Sequence, residues 1–199
     1  MERNAFLINK KIHQYILPSV LMTVAMQLGN VVDGMIVGNI LGADAMAAIE
    51  LSMPVLLVLQ MPAMMLAMGG ATEAAVLLGK RSTQEADGVF SAALAAGLLL
   101  SVIFALFTPF LPGVLAMALS GNGALAALVE PYIAVNFGGI PILTLAIIFC
   151  YFMNADNHPQ LGSALFIIAN VVNLALDLVF LKGLKIGMAG SALATIIGY

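Results

Sequence analysis

The stretch Val89 to Leu111, VFSAALAAGLLLSVIFALFTPFL, carries no charged residue. A helix needs about 20 mostly apolar residues to cross the hydrocarbon of a bilayer, since each residue adds about 1.5 Å. This run meets that length, and four others do as well: Tyr15 to Leu41, Ala45 to Leu78, Leu125 to Met153 and Leu161 to Leu181. A sixth begins near Gly187 and is still apolar at Tyr199. Membrane barrels are built from alternating segments of only about 10 residues, so the runs predict helices. The expected fold is an all-α polytopic membrane bundle with five complete transmembrane helices and the start of a sixth.

Composition agrees. The chain is 62% hydrophobic and 9% charged, with a mean hydropathy of +1.09, whereas soluble domains run near 25% charged. The exterior is therefore expected to face membrane lipid. A net charge of −3 and seven scattered cations exclude a basic nucleic-acid binder. The single cysteine, Cys150, excludes an intrachain disulfide framework and reads as packing in an apolar stretch.

The connections GKRSTQEADG (79–88), SGNGA (120–124), NADNHPQ (154–160) and KGLKI (182–186) are short, which makes successive helices antiparallel neighbours. With the N-terminus inside, Arg3, Lys10, Lys11, Lys80 and Arg81 fall on the cytoplasmic side and only Lys182 and Lys185 outside, five cations against two. That asymmetry predicts a cytoplasmic N-terminus and a multi-pass protein of the cell (inner or plasma) membrane. His13 and His158 then fall in solvated cytoplasmic segments, and Asn154, Asp156 and Asn157 read as turn chemistry before Pro159.

Ionisable groups inside the runs carry the functional signal, because an Asp at a helix centre is disfavoured by about 2.5–3.5 kcal/mol on insertion scales. Asp33 follows Asn30 by three residues, and Asp177 follows Asn173 by four and Asn170 by seven, so each acid shares a helix face with amides. Counted from the outer helix ends, Asp33, Asn173 and Thr195 all lie about 12 Å deep. Carboxylates, amides and a hydroxyl at one level make a hard-oxygen site for a proton or sodium. The bland alternative is interhelical hydrogen bonding that fixes packing, and it weighs more for Asn30, Asn170, Asn173 and Thr195 than for the acids.

Other features carry less. Gly34, Gly38 and Gly42 form overlapping GxxxG patterns that predict close approach of another backbone. Met61, Met64, Met65 and Met68 occupy one face of the second helix, either a lipid-facing or core stripe or an adaptable wall of a substrate cavity. Pro62 and Pro141 predict local bends. Glu50, Glu73 and Glu130 read as interfacial.

The stretches GNVVDGMIVGNILGADAMAA, FMNADNHPQ with NVVNLALDLVF, and GMAGSALAT, taken in order, closely resemble the multidrug and toxic compound extrusion (MATE) transporters. The resemblance implies a twelve-helix transporter of two six-helix lobes, of which residues 1–199 would be the N-terminal lobe interrupted in its sixth helix, with the C-terminal lobe missing. It implies an antiporter rather than an enzyme, one that exports organic, often cationic drugs in exchange for protons or sodium and needs no further cofactor or metal. It implies a cation site at Asp33, Asn173, Asp177 and Thr195, the set reached above from depth. Glu50 and Glu73 are not part of the usual motif.

Three rivals differ in what they require. A lipid or polysaccharide-precursor flippase of the same superfamily needs cations in its cavity for phosphates, yet all seven Lys and Arg fall outside the helical cores. An intramembrane aspartyl protease usually has GxGD, and zinc or serine hydrolases have HExxH or GxSxG; none occurs. A non-catalytic membrane subunit is the third.

Overall fold

The computed structural model describes residues 31–121 and 123–198, together with residues 16, 20, 21, 23, 24 and 27–29 before them. Asn30, His13, Arg3, Lys10 and Lys11 lie outside the described residues. The described chain is helical throughout with no strand: α1 (continuous over 31–41), α2 (Ala43–Gly79), α3 (Thr83–Leu106), α4 (Leu111–Ser120), α5 (Gly123–Ala155), α6 (Pro159–Asp177), a π-helical segment (Leu178–Gly183) and α7 (Met188–Gly198). Four of the described helices are long and apolar enough to cross a membrane: α2, α3, α5, and α6 with its π continuation.

Two boundaries differ from the expectation. The third run stops at Leu106, because the turn at 107–110 ends with Pro109 and Phe110, and the chain restarts as the short helix α4 with Pro112 in its first turn. Pro lacks an N–H, so it fits a helix start and disfavours helical geometry in the residue before it. The fifth run continues to Gly183, so Lys182 and Gly183 belong to the helix rather than to the connection. Asn154 is likewise helical, its amide donating to the Cys150 carbonyl at 3.0 Å, while Asn157 takes the turn with φ 62°.

α5 runs through the centre and contacts α2, α3, α4, α6 and α7, most extensively α2. The buried stripe of α2 is built largely from small side chains, Ala45, Ala48, Ser52, Ala63, Ala67, Ala71 and Ala74. Stripes of this kind let helix backbones approach closely where lipid supplies no hydrophobic drive for association. Larger side chains then seat into gaps. A methyl group on Gly70 would collide with the Phe152 ring, and one on Gly97 with Ile148 and Thr144, so α5 is pegged to both α2 and α3. Phe90 reinforces the α3–α5 contact, its ring 5.5 Å from Phe149 and 5.0 Å from Phe152. Outward-facing Leu57, Val58, Leu99, Leu106 and Phe110 are exposed, as a lipid-facing exterior requires. Cys150 is a half-buried free thiol.

The GxxxG expectation is corrected. Gly34 and Gly38 face the flexible end of Met46, not a neighbouring backbone. Gly42 makes the α1–α2 turn, with φ 96° and ψ 175°. That region is accessible essentially to glycine alone. Gly42→Ala is expected to lower stability by about 1–3 kcal/mol, read as a drop in the melting temperature of the detergent-solubilised protein; an unshifted melt would show that the turn tolerates a side chain.

Candidate ion-binding site

α6 and α7 form an antiparallel hairpin, with Gly190 against Phe180 and Leu181 near the turn and Gly198 against Ala169 and Asn173 further in. The geometry brings the polar stripe of α6 onto that of α7. Asn173 Nδ2 donates to Thr195 Oγ1 at 3.3 Å, and Thr195 Oγ1 donates to the Ser191 carbonyl at 3.2 Å. α1 completes the arrangement from the other side. The carboxyls of Asp33 on α1 and Asp177 on α6 face one another as direct electrostatic neighbours.

Asp177 is 0% exposed and is the last residue of α6 before the π segment. Such π turns inside helices often mark functional positions, because the ladder of backbone bonds is re-spaced there. Asp33 Oδ1 and both carboxyl oxygens of Asp177 are buried without a hydrogen-bond partner among the described residues. Among the described residues, no cationic side chain belongs to the groups acting on either acid. Of the described cations, Lys80 and Arg81 lie in the α2–α3 turn and Lys185 in the α6–α7 turn, while Lys182, on the π segment that follows Asp177, lines a groove with Val32 and Ile36 of α1. Two carboxylates facing one another in an apolar bundle repel when both are ionised, an arrangement suited to a proton or a small cation between them.

The depth expectation is refined here. Depth counted along the helices puts Asp33 level with Asn173 and Thr195; in the structure it meets Asp177, one turn further out. The site thus has two storeys, the acid pair outside and the Asn173–Thr195 bond inside. Asn170 lies one turn inward again: its Nδ2 donates to the Phe166 carbonyl at 2.9 Å, and its Oδ1 stands where a methyl on Gly29 of the first helix would fall. Asn30 lies outside the described residues.

Tyr132 was missed by sequence reasoning. It is 5% exposed on α5 and is an electrostatic neighbour of Asp33, Asp177 and Glu50. The available signal was the pair Tyr132 and Asn136, four apart in an apolar run and linked by a 2.9 Å bond from the Asn136 amide to the Tyr132 carbonyl. Glu50, exposed on the second turn of α2, belongs to the outskirts of this acidic group rather than to a detached interface. Glu73 is exposed on α2, and Glu130 packs beside Gly113 of α4.

Met61, Met64, Met65 and Met68 are exposed on α2, beginning about 16 Å along the helix from Glu50. They are not drawn into the carboxyl cluster. Met68 borders an open groove of about 560 Å3 between α2 and α5, which Thr72, Tyr151 and Asn154 also line. At that same end, His158 is exposed and 4.0 Å from Asp156.

The chain is similar in sequence and fold to known proteins. The chain is 27% identical over 161 residues to the multidrug export protein MepA of Staphylococcus saprophyticus, covering 81% of this chain and 36% of that protein. It is 23% identical over 188 residues to MepA of Staphylococcus haemolyticus, covering 94% and 42%. The chain thus spans about two fifths of the length of these relatives. Among solved structures, a MOP superfamily transporter from Pyrococcus furiosus superposes with a TM-score of 0.87 at 23% identity, over 94% of this chain and 41% of that one. A MATE structure described as being in the bent conformation gives 0.84 at 24% identity, over 96% and 42%. These likenesses establish a shared fold. The model of the MatE family matches residues 18–179, a stretch that takes in both carboxyls and every described helix from α1 to α6, and the chain belongs to that family.

Proposed function

We propose that residues 1–199 are the N-terminal lobe of a two-lobe secondary antiporter that exports organic, often cationic drugs in exchange for protons or sodium. The facing carboxyls of Asp33 and Asp177 inside an apolar bundle carry this reading. The relatives named as multidrug export proteins support the drug side of it. Transport rather than bond chemistry is the activity, and the coupling ion takes the place of a resident cofactor. Asn173 and Thr195 serve as the inner wall of the ion site, with Asn170 and Asn30 as polar support. The Met61, Met64, Met65 and Met68 stripe offers adaptable contacts to a substrate held between this lobe and the C-terminal one. The protein is a multi-pass protein of the cell membrane with its N-terminus in the cytoplasm.

Ion and drug compete in this scheme. A proton or sodium ion entering between Asp33 and Asp177 removes the buried negative charge, and with it the attraction for a cationic compound. The differential affinity of the two occupants for the two charge states is what couples them.

The test uses the full-length protein in liposomes with an imposed proton or sodium gradient and a fluorescent organic cation as cargo. Cation accumulation against its own gradient is expected, with collapse when an ionophore dissipates the ion gradient. Accumulation indifferent to both ions would overturn antiport. Transport of a lipid-linked phosphate in place of the cation would favour the flippase.

A further inference from the structure

Among the described residues, the buried side-chain oxygens without a partner number four: Asp33 Oδ1, Asp177 Oδ1, Asp177 Oδ2 and Ser191 Oγ. The first three belong to the acid pair. Ser191, 1% exposed in the first turns of α7, is the one whose isolation nothing above accounts for.

Helical hydroxyls usually satisfy themselves by bonding to a carbonyl one turn earlier. Ser52, Ser91, Ser101 and Ser120 all do so here, at 2.7–2.9 Å. Ser191 does not, and leaving a buried hydroxyl unpaired is unfavourable by about 1–3 kcal/mol. Its place in the hairpin explains what it faces. Asn173 of α6 meets Thr195 of α7. In an antiparallel pair, one turn outward is four residues forward on α6 and four back on α7, which sets Asp177 opposite Ser191. Further out, Gly190 contacts Phe180 and Leu181, two to three residues beyond the position this register gives it, in the π segment. The register therefore puts Ser191 at the storey of the two carboxyls, and its hydroxyl makes no hydrogen bond to them.

We propose that Ser191 is a further side chain of the ion site and determines its ion specificity, its hydroxyl oxygen completing the carboxyl oxygens of Asp33 and Asp177 into a cage for sodium. A proton needs one carboxyl oxygen and no cage. A dehydrated sodium ion needs several oxygens converging on one point, and a neutral hydroxyl adds one without adding repulsion to the acid pair. Losing Ser191 thus weakens sodium and leaves protonation of the carboxyls in place. The inference rests on the ion site proposed above. Tyr132 and Glu50 are the other titratable groups around it.

The experiment compares the full-length parent with Ser191→Ala, Ser191→Cys, Ser191→Thr and Asp177→Asn in liposomes. It reads the sodium concentration for half-maximal sodium-driven efflux, the pH midpoint of proton-driven efflux, and the melting shift that sodium chloride produces relative to choline chloride. Ser191→Ala is expected to raise the sodium midpoint about tenfold, the low end of what losing a supporting group does to metal affinity, and to shrink the sodium-specific melting shift. The pH midpoint stays where it is. Ser191→Cys keeps the size but not the hard oxygen and behaves like Ala, so it carries the test if Ala fails to accumulate; Ser191→Thr keeps the hydroxyl and restores sodium. Sodium and proton midpoints moving together would reduce Ser191 to a packing residue. Unchanged sodium response in Ala and Cys, with the response lost in Asp177→Asn, would overturn the role of Ser191 and leave the ion site standing. A parent driven by protons alone would do the same, whereas an Asp177→Asn variant with the parent's response to both ions would overturn the site itself.

Discussion

Replacing Asp33 and Asp177 together by Asn should abolish ion-driven efflux while making the protein harder to unfold. The two effects have one origin. Each carboxylate sits in the bundle at an insertion penalty of about 2.5–3.5 kcal/mol, and among the described residues no cationic side chain acts on the pair to offset it. Asn keeps nearly the same shape, loses the charge and can donate to a facing oxygen, so the folded state gains where the acids stood exposed to each other. What disappears is the ability to take up and release a proton or cation. The expected readings are efflux of a fluorescent cation at the level of empty liposomes, and a melting temperature in detergent at or above that of the parent. Retained gradient-driven efflux would show that these carboxyls are not the coupling site. Lost efflux with a lower melting temperature would assign them to packing instead.

A second large effect is expected at Gly139. A Cβ built there would run into three atoms of Ile196, which is 4% exposed on α7. Because most of the Ile196 side chain lies in the way, no single rotamer change clears the space, and Gly139→Val must push α7 off α5. Overpacking of this kind destabilises by about 1–3 kcal/mol. It also displaces Thr195, the neighbour of Ile196 and the partner of Asn173, so ion-driven efflux should fall even though no ionisable group has changed. Shortening the opposing side chain supplies the control. Ile196→Ala combined with Gly139→Val should melt above Gly139→Val alone, with a coupling of about 0.5–3 kcal/mol in the double-mutant cycle. Additive effects would mean that the two residues do not press on each other.

The helical architecture was legible because hydrocarbon leaves so few options. A long uncharged run such as 89–111 points to a spanning helix, even though its last residues turn at 107–110 before α4, and the rarity of acids inside runs singled out Asp33 and Asp177. What escaped was whatever depends on three helices meeting. Sequence spacing reports which residues share a face of one helix, so it grouped Asn173 with Asp177 but could not say which of them Asp33 would meet. Tyr132 and Ser191 were invisible for the same reason: a tyrosine or serine in an apolar run is ordinary until the facing helix is known. The π segment after Asp177 also left no mark, since LVFLKG reads like any helix end. GxxxG misled because the motif records only that space exists, and Met46 filled it.

The seam joining α2, α3 and α5 has a consequence for how this lobe tolerates change. With Phe152 seated at Gly70 and Ile148 at Gly97, the spacing of the three helices is set by backbone proximity and two pegs rather than by the length of interleaved side chains. Hydrophobicity is then a poor guide to which substitutions survive there. Conversions of Gly70 or Gly97 to equally apolar Leu or Val should be purged, while polar but small replacements such as Gly70→Ser bring a smaller penalty. In mechanical terms the three helices form a keyed plate, resistant to both sliding and rotation, whose allowed sequence alphabet is filtered by volume.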